Sequence, residues 1–314
     1  MAFNAKKFVE TSIQELKQKV DAPIVVGASG GVDSTVTCML LHNAVPDKLH
    51  AVFVDTGLSR KNEARDTKTS FEKLGVNGIK LEVINAENEF LTALRGVIEP
   101  EEKRKAIGKK FIDVFDEHAQ KIGAKYLGQG TIAPDWIESG GGLRDTIKSH
   151  HNVGGLPKDL KLALIEPLHD LYKDEVRAVA SELGVPPALF EKQPFPGPGL
   201  AVRILGEVTK ERAQIVREAC AIVEEEIEKI SKHTIPRPWQ YFAVLLPIKS
   251  VGVQGDLRAY KNIIAVRAVN ALDGMTAEYY PLPHDVLHRI SLRITNELKE
   301  HVNRVVYDVT NKPP

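Results

Sequence analysis

The sequence of 314 residues predicts an α/β protein, in which a doubly wound, mainly parallel sheet is followed by a smaller α+β domain. Up to residue 131, apolar segments rich in β-branched residues alternate with helical segments, as in a parallel sheet covered on both faces. Beyond P-F-P-G-P-G-L at 194–200, the order becomes strand, helix, strand, strand, helix, strand. This change at a Pro- and Gly-rich junction predicts two domains, about 1–200 and about 201–314.

The elements of the first domain follow from their apolar patterns. Helical periodicity predicts helices at 4–20, 32–42, 62–74 and 99–122. Apolar runs predict buried strands at 24–28, 49–57, 79–85 and 124–131. Residues 136–165 interrupt this rhythm because they are rich in glycine and lack periodicity, so they are predicted to be either a disordered loop or a functional lid.

The second domain has a different predicted order. Its strands are expected at 200–205, 240–247, 262–269 and 304–309, and its helices at 209–230 and 284–300. An RNA-binding module is a rival interpretation of this order, but a basic stripe and an aromatic-rich strand are missing from the sequence of this domain.

Composition narrows the possible partners and location. Lys plus Arg and Asp plus Glu both number 42, so neither nucleic acid nor a membrane surface is predicted as a partner. No apolar run reaches the roughly 18–20 residues that span a bilayer. The two cysteines, Cys38 and Cys220, lie far apart, which excludes a disulfide scaffold and a cysteine zinc site and predicts a cytoplasmic protein.

The strongest functional signal is the hexapeptide S-G-G-V-D-S at 29–34, between the first strand and its helix. Gly30 and Gly31 allow a sharp turn that presents N–H groups to a phosphate, and the helix adds the positive end of its dipole. Asp33 is unexpected in an anion site unless a cation is present, so it is predicted to contact Mg²⁺ and to be catalytic. The alternative is a capped turn that binds no ligand.

The hexapeptide lacks the lysine of G-x-x-x-x-G-K-S/T loops and resembles the PP-loop of the N-type ATP pyrophosphatases, which cleave ATP between its α and β phosphates. The resemblance implies an adenine nucleotide alpha hydrolase-like fold. It also implies that the loop holds ATP together with residues at the ends of neighbouring strands. The predicted ATP-binding residues are Ser29, Gly30, Gly31, Val32, Asp33, Ser34, Val54, Asp55, Gly130 and Thr131.

Two acidic positions have competing interpretations. Asp135 and Glu138 lie three apart and face the same way on a helical turn, so they either share a Mg²⁺ ion with ATP or form an N-cap with a first-turn acid; the family resemblance favours the metal. Asp55 ends the second strand at the carboxyl edge, where ligands bind in such sheets, although a plain strand-end cap is the alternative. Val54 beside it is expected to pack on adenine.

The predicted lid carries three cationic or titratable side chains, Lys148, His150 and His151. Such groups can close over ATP and neutralise charge on its phosphates, so they are predicted to be catalytic. An ordinary solvated loop is the alternative. Adjacent histidines point apart, which argues against a zinc site.

Longer segments resemble GMP synthetases of the archaeal type, whose ATP pyrophosphatase is a separate subunit, over essentially the whole chain. The segments are Y-L-G-Q-G-T-I-A-P-D-W-I-E-S, I-K-S-H-H-N-V-G-G-L-P, E-P-L-H-D-L-Y-K-D-E-V-R, P-F-P-G-P-G-L-A-V-R-I-L-G-E-V, S-V-G-V-Q-G-D-L-R-A-Y and R-V-V-Y-D-V-T-N-K-P-P. The resemblance implies that ATP and Mg²⁺ adenylylate xanthosine monophosphate (XMP), and that ammonia then gives GMP, AMP and pyrophosphate. It also implies a homodimer formed by the second domain.

The same resemblance implies that Arg203, Gln254 and Lys312 bind XMP; without it, all three read as surface residues. Similar proteins usually continue K-P-P-x-T-I-E-W-E, so the XMP pocket is expected to be incomplete as this sequence stands. Neither cysteine lies in a nucleophile-like context, and the chain begins close to the PP-loop, so ammonia is expected from a separate glutaminase subunit. Another PP-loop ligase, such as NAD synthetase or argininosuccinate synthetase, is the alternative enzyme.

Overall fold

A computed structural model describes residues 3–75, 78–138, 162–190, 192–231, 235–254, 257–271 and 276–313. The chain divides into two compact units. The first unit comprises Met1–Asp55, Asn62–Ala86 and Gly108–Lys192, and the second comprises Thr56–Lys61, Glu87–Ile107 and Gln193–Pro314. The domain limits predicted from the sequence, which place all of 1–200 together, stay a prediction.

Helices and strands alternate through the first two thirds of the chain. In order they are α1 Ala5–Lys19, β1 Ile24–Gly27, α2 Val32–Ala44, β2 Leu49–Asp55, α3 Glu63–Phe71, β3 Leu81–Asn85, α4 Glu87–Ala93, α5 Pro100–Lys121, β4 Tyr126–Gly128, α6 Ala133–Glu138, β5 Ala163–Ile165, α7 Lys173–Glu182 and α8 Pro187–Phe190. After α8 come α9 Lys210–Ser231, β6 Gln240–Gln254, β7 Leu257–Asn270, β8 Glu278–Tyr279, α10 His284–Glu297 and β9 Val302–Tyr307.

The sheet of the first unit has the strand order β3-β2-β1-β4-β5, and every neighbouring pair is parallel. Ile24 and Val25 in the central strand are 0% exposed because helices cover both faces of the sheet. The predicted doubly wound parallel sheet is therefore confirmed. The chain extends from β1 in both directions, so the carboxyl end of β1 lies at the point where the strand order reverses.

The prediction for residues 136–165 is partly wrong. Ala163–Ile165 form the edge strand β5, which pairs with β4, and α6 continues to Glu138. Three residues carry too little periodicity to identify a strand from sequence, since the signal needs at least four. Residues 139–161, which contain most of the predicted lid, lie outside the described residues.

The second unit contains a four-stranded sheet. β6 and β7 form a long antiparallel pair, and β7 also pairs with β8 and, in parallel, with β9. α9 and α10 were predicted nearly to their ends. β6 and β7 are each longer than predicted, and their pairing extends to Gln254 and Leu257.

The strand predicted at 200–205 is wrong. Gly199–Arg203 form a 3₁₀ helix, and only Ile204 makes a bridge, to Leu245 of β6. Gly199 has a φ of +61°, and a Cβ atom there would lie 2.3 Å from the carbonyl oxygen of Leu58. This backbone conformation and close approach prevent an extended strand, although the apolar composition of the segment is typical of one.

Among the residues that the structure describes, no helix is long and apolar enough to cross a membrane.

Candidate functional site

The hexapeptide at 29–34 joins the central strand β1 to α2 at the carboxyl edge of the sheet, as predicted. Ser34 holds the loop together: its Oγ accepts a hydrogen bond from the Ser29 amide at 3.2 Å and donates one to the Gly31 carbonyl at 3.1 Å. Thr35 Oγ1 donates to the same carbonyl at 2.8 Å. Gly31 is the N-cap of α2 and, within the described residues, no side chain caps this helix. The amide groups of its first turn are thus free to bind an anion.

The two glycines of the loop have different structural roles. Gly30 has a φ of +75°, and a Cβ atom there would lie 2.9 Å from the Thr67 hydroxyl, so the fold itself requires glycine. Gly31 has a φ of −81°, and among the described residues the one atom within 4 Å of a Cβ placed there is Ser29 Oγ, at 3.4 Å. The fold therefore tolerates a side chain at Gly31, and any requirement for glycine there comes from a ligand.

Asp33 forms an ion pair with Lys173 that the sequence analysis missed. Lys173 Nζ lies 2.8 Å from Asp33 Oδ1 and 2.6 Å from Oδ2. Lys173 is the first residue of α7, where the helix dipole disfavours a cation, so the Asp33 carboxylate compensates for this position. The motif L-Y-K-D-E-V-R contains this lysine. From the sequence alone, its partner is unknown, and the lysine looks like an exposed residue at the start of a helix.

The turn between β4, which pairs with β1, and α6 carries further predicted residues, and one of them lies against Asp33. A Cβ atom on Gly130 would lie 2.9 Å from the carbonyl carbon of Asp33, so Gly130 allows the β4–α6 turn to approach α2. Thr131 donates a hydrogen bond to Glu166. Asp135 accepts a hydrogen bond from the Ile132 amide at 3.1 Å, so it stabilises the start of α6 as an acid of the first turn and not as the N-cap residue itself.

Val54 and Asp55 lie at the carboxyl end of β2, next to β1. Val54 is 6% exposed, and the backbone carbonyl of Asp55 accepts a hydrogen bond from Ala86 at 2.9 Å. Val32, in the first turn of α2, is also 6% exposed, so its contribution to the loop is made through the backbone. The predicted contacts of these residues with adenine or ribose stay predictions.

Several predicted residues cannot be placed. Lys148, His150 and His151 lie outside the described residues, as do the side chains of Glu138 and Gln254, although the backbone of Gln254 pairs with Leu257 in the β6–β7 sheet. Within the described ranges, no group of three or more His, Cys, Asp or Glu side chains could hold a metal ion.

Arg203 lies in the second unit and is buried. Without the family resemblance, the sequence had suggested a surface residue here. It is 2% exposed, and its guanidinium lies over the rings of Phe195 at 4.7 Å and Phe242 at 4.5 Å. Nη1 donates to Cys220 Sγ at 3.5 Å, whereas Nη2 is buried and has no hydrogen-bond partner among the described residues. A buried donor without a partner is costly, so Nη2 is a candidate ligand contact.

Arg60 is a second arginine at Phe195, and the sequence analysis missed it. Its guanidinium lies 4.3 Å from the centre of that ring, and it donates to the Gln193 carbonyl at 2.8 Å. Arg60 Nε also lies 3.5 Å from Oε1 of Glu224, with which it forms an ion pair. The contacts span more than 130 positions of sequence, so no local pattern could have predicted them. Lys312 is exposed, and its backbone pairs with Ala277.

The sequence matches two family descriptions: NAD synthase over residues 3–107, and GMP synthase C terminal domain over residues 225–314. A GMP synthase (glutamine-hydrolyzing) subunit from Pyrococcus furiosus is 58% identical over 98% of this chain and 96% of that protein. The subunit of the same name from Pyrococcus abyssi is 57% identical over 99% of this chain and 98% of that protein.

GMP synthase (glutamine-hydrolyzing) of Lactobacillus gasseri is 53% identical over 98% of this chain, but the match covers only 59% of that longer protein. The two Pyrococcus proteins thus match almost end to end, and the longer relative contains an additional region. The chain belongs to the family of these GMP synthase subunits.

Proposed function

We propose that this protein is the ATP pyrophosphatase of a two-subunit GMP synthase, which activates XMP with ATP and aminates it with ammonia. The observation that carries the proposal is the uncapped α2 N-terminus behind the Ser29–Ser34 hydrogen-bonded loop, at the point where the strand order reverses. Family membership identifies the reaction among those that such a loop supports. The cytoplasmic location expected from cysteine usage stays a prediction.

In the first step, the 2-oxygen of XMP attacks the α-phosphorus of ATP, and the bond from that phosphorus to the bridging oxygen of the β phosphate breaks. Charge develops on the pyrophosphate that leaves. We expect the amide groups at the start of α2 and the hydroxyls of Ser29 and Ser34 to stabilise that charge. Lys173, paired with Asp33, contributes an ammonium group beside the loop. Lys148, His150 and His151 would complete the cationic environment from the segment that follows α6.

In the second step, ammonia attacks C2 of the purine, the C2–oxygen bond breaks, and AMP leaves with that oxygen. The amino group then loses its extra proton to give GMP. Adenylylation is needed because an oxide is a poor leaving group, whereas AMP is a good one.

Mg²⁺ needs only one or two protein carboxylates when phosphates supply other ligands, and Asp33 and Asp135 both offer carboxylates that are not buried. These residues, with Glu138, would hold the ion, which would neutralise phosphate charge when bound. The carboxylate of Asp33 is held by Lys173 through both oxygens, so it is already oriented by a cation at this position.

XMP is proposed to bind the second unit through Arg203, Gln254 and Lys312. Support comes from the buried Nη2 of Arg203, a donor that lacks a protein partner among the described residues. Arginine suits a phosphate because its planar donors match two oxygens. Arg60, which shares the ring of Phe195, is a further candidate for the same anion.

Ammonia is proposed to come from a separate glutaminase subunit. Burial raises the pKa of the Cys38 thiol to about 12 and raises the pKa of Cys220 as well, so neither cysteine is a reactive thiolate. The longer relative from Lactobacillus gasseri carries extra sequence beyond the matched region, consistent with a fused glutaminase. The purified chain is expected to use ammonium and not glutamine.

Two copies are proposed to pair through the second unit. Its long strands expose apolar side chains that a solvated sheet would not favour, including Ile248 at 57%, Val251 at 48% and Tyr260 at 66% exposure. Sedimentation at micromolar concentration checks this, and a monomer would contradict it.

The test of the proposed function is a product assay with the purified chain, ATP, Mg²⁺, ammonium and XMP. GMP, AMP and pyrophosphate are expected in equal amounts. Because residues 3–107 also match NAD synthase, nicotinate adenine dinucleotide is supplied in place of XMP as the rival substrate. Amidation of that compound, without GMP formation from XMP, would favour the rival function.

A further inference from the structure

Lys103 is a buried lysine that makes no ion pair with any described carboxylate. It lies in α5, is 1% exposed, and donates hydrogen bonds to three backbone carbonyls of the second unit. The distances from Nζ are 3.3 Å to Ala201, 2.6 Å to Ile204 and 2.5 Å to Gly206. Burial and the nearby Arg212 lower the pKa of Lys103, which means that the charged form of this lysine is disfavoured at its position.

These carbonyls belong to the turn that carries Arg203. Arg212 holds the same turn from its other side, with Nη2 donating to the Leu205 carbonyl at 2.7 Å and Nη1 to the Glu207 carbonyl. The two cations together occupy five carbonyls between residues 201 and 207. Lys103 is about 100 positions away in sequence, and Arg212 lies on the next helix. Because these side chains fix its carbonyls, the backbone conformation of the turn is restrained more than its own sequence would restrain it.

The restraint also affects the orientation of the Arg203 side chain. The faces of the Arg203 guanidinium lie against Phe195 and Phe242, which leaves its edge to point toward a ligand. The direction of that edge is constant only if the backbone of Arg203 is fixed. The edge that matters is Nη2, which is buried and unpartnered among the described residues. A shift of about 1 Å in the turn would move this donor out of hydrogen-bond range of a ligand.

We propose that Lys103, supported by Arg212, is a positioning residue for nucleotide binding: it fixes the 201–207 turn so that Arg203 presents Nη2 to an anionic group of the substrate. The inference rests on the proposed function, since it takes XMP as that substrate. Lys103 itself does not touch the nucleotide. A purely structural role would weaken the binding of both substrates, whereas this role predicts a selective loss for XMP.

The experiment measures the dissociation constants of XMP and ATP separately, by calorimetry on the full chain. Lys103→Met is expected to weaken XMP binding by about tenfold, the size of one lost charge-assisted hydrogen bond, while ATP binding changes less than about twofold. Lys109→Met, an exposed lysine on the same helix, is the matched control and should change neither.

Arg212→Gln provides a second variant, since it removes the outer pair of hydrogen bonds from a half-buried position. It should weaken XMP binding by about threefold and leave ATP binding unchanged. If Lys103→Met does not fold, this variant decides. Unchanged XMP binding, or equal losses for XMP and ATP, in a folded variant would overturn the inference. A wild-type protein that binds no XMP would instead overturn the proposed function, and the inference with it.

Discussion

The loop at 29–34 and the turn at 201–207 are both candidate anion sites, but they are stabilised in opposite ways. The loop is held by hydroxyl and amide groups from its own sequence, with Ser34 bonded to Ser29 and Gly31. The turn is held by charged side chains from outside it, Lys103 of α5 and Arg212 of the next helix, α9. The local sequence therefore sets the geometry of the loop, whereas the geometry of the turn depends on side chains that the fold brings to it.

The largest expected effect is at Asp33, which joins the loop to a distant helix through Lys173. Asp33→Asn removes the charge but keeps the shape, and it should lower XMP-dependent pyrophosphate release by on the order of 10²–10³, a typical loss for one electrostatic contact in a transition state. Circular dichroism should show an unchanged fold. Asp47→Asn, at an exposed acid of the same unit, is the control and should retain wild-type turnover. Near-normal turnover in folded Asp33→Asn would mean that the loop is not the catalytic site.

The two loop glycines separate folding from ligand binding. Gly30→Ala places a side chain at a φ of +75° against Thr67, so it should lower the free energy of unfolding by roughly 1–2 kcal/mol. Gly31→Ala should leave that free energy nearly unchanged and yet weaken ATP binding by about tenfold, because its methyl group would displace the phosphate. Urea denaturation and ATP calorimetry measure the two quantities. Full ATP affinity in Gly31→Ala would show that phosphate does not approach this backbone.

The smallest effect concerns acid sensitivity of the second unit. The carboxylate of Glu226 in α9 is 5% exposed and contacts Arg289 and Arg293 of α10 and Lys229. Burial raises its pKa, but hydrogen bonds from Lys229 and Arg293 outweigh this, and the pKa lies below its ordinary value. The stabilisation is therefore complete above the unfolded-state pKa of about 4.3 and is lost as the pH falls through the lowered folded-state pKa.

Glu226→Gln should consequently destabilise the second unit by roughly 1–2 kcal/mol at pH 7, since its partners are partly solvated. The difference from wild type should shrink as the pH falls below about 4, which denaturation at several pH values would reveal. A difference that is constant with pH would show that the charge of Glu226 is not the cause.

What the sequence predicted follows the same division. The buried parallel strands and the 29–34 loop were predictable because each is determined by a few consecutive residues. In the loop, for example, the hydroxyls of Ser29 and Ser34 contact each other. Residues 200–205 were mistaken for a strand because A-V-R-I-L has the composition of one, while Gly199 and Lys103 determine the conformation of this segment. The partners Lys173 and Arg60 were missed for the same reason: each meets its site only through the tertiary fold.

The central claim is that the purine oxygen of XMP attacks the α-phosphorus of ATP held by the 29–34 loop. XMP carrying oxygen-18 at C2 tests it directly, with mass spectrometry of the products formed by the purified chain with ATP, Mg²⁺ and ammonium. The account predicts that the label appears in the phosphate of AMP, that pyrophosphate carries none, and that GMP has lost it. Label in inorganic phosphate, with ADP as the other product, would mean attack at the γ-phosphorus and would contradict the account.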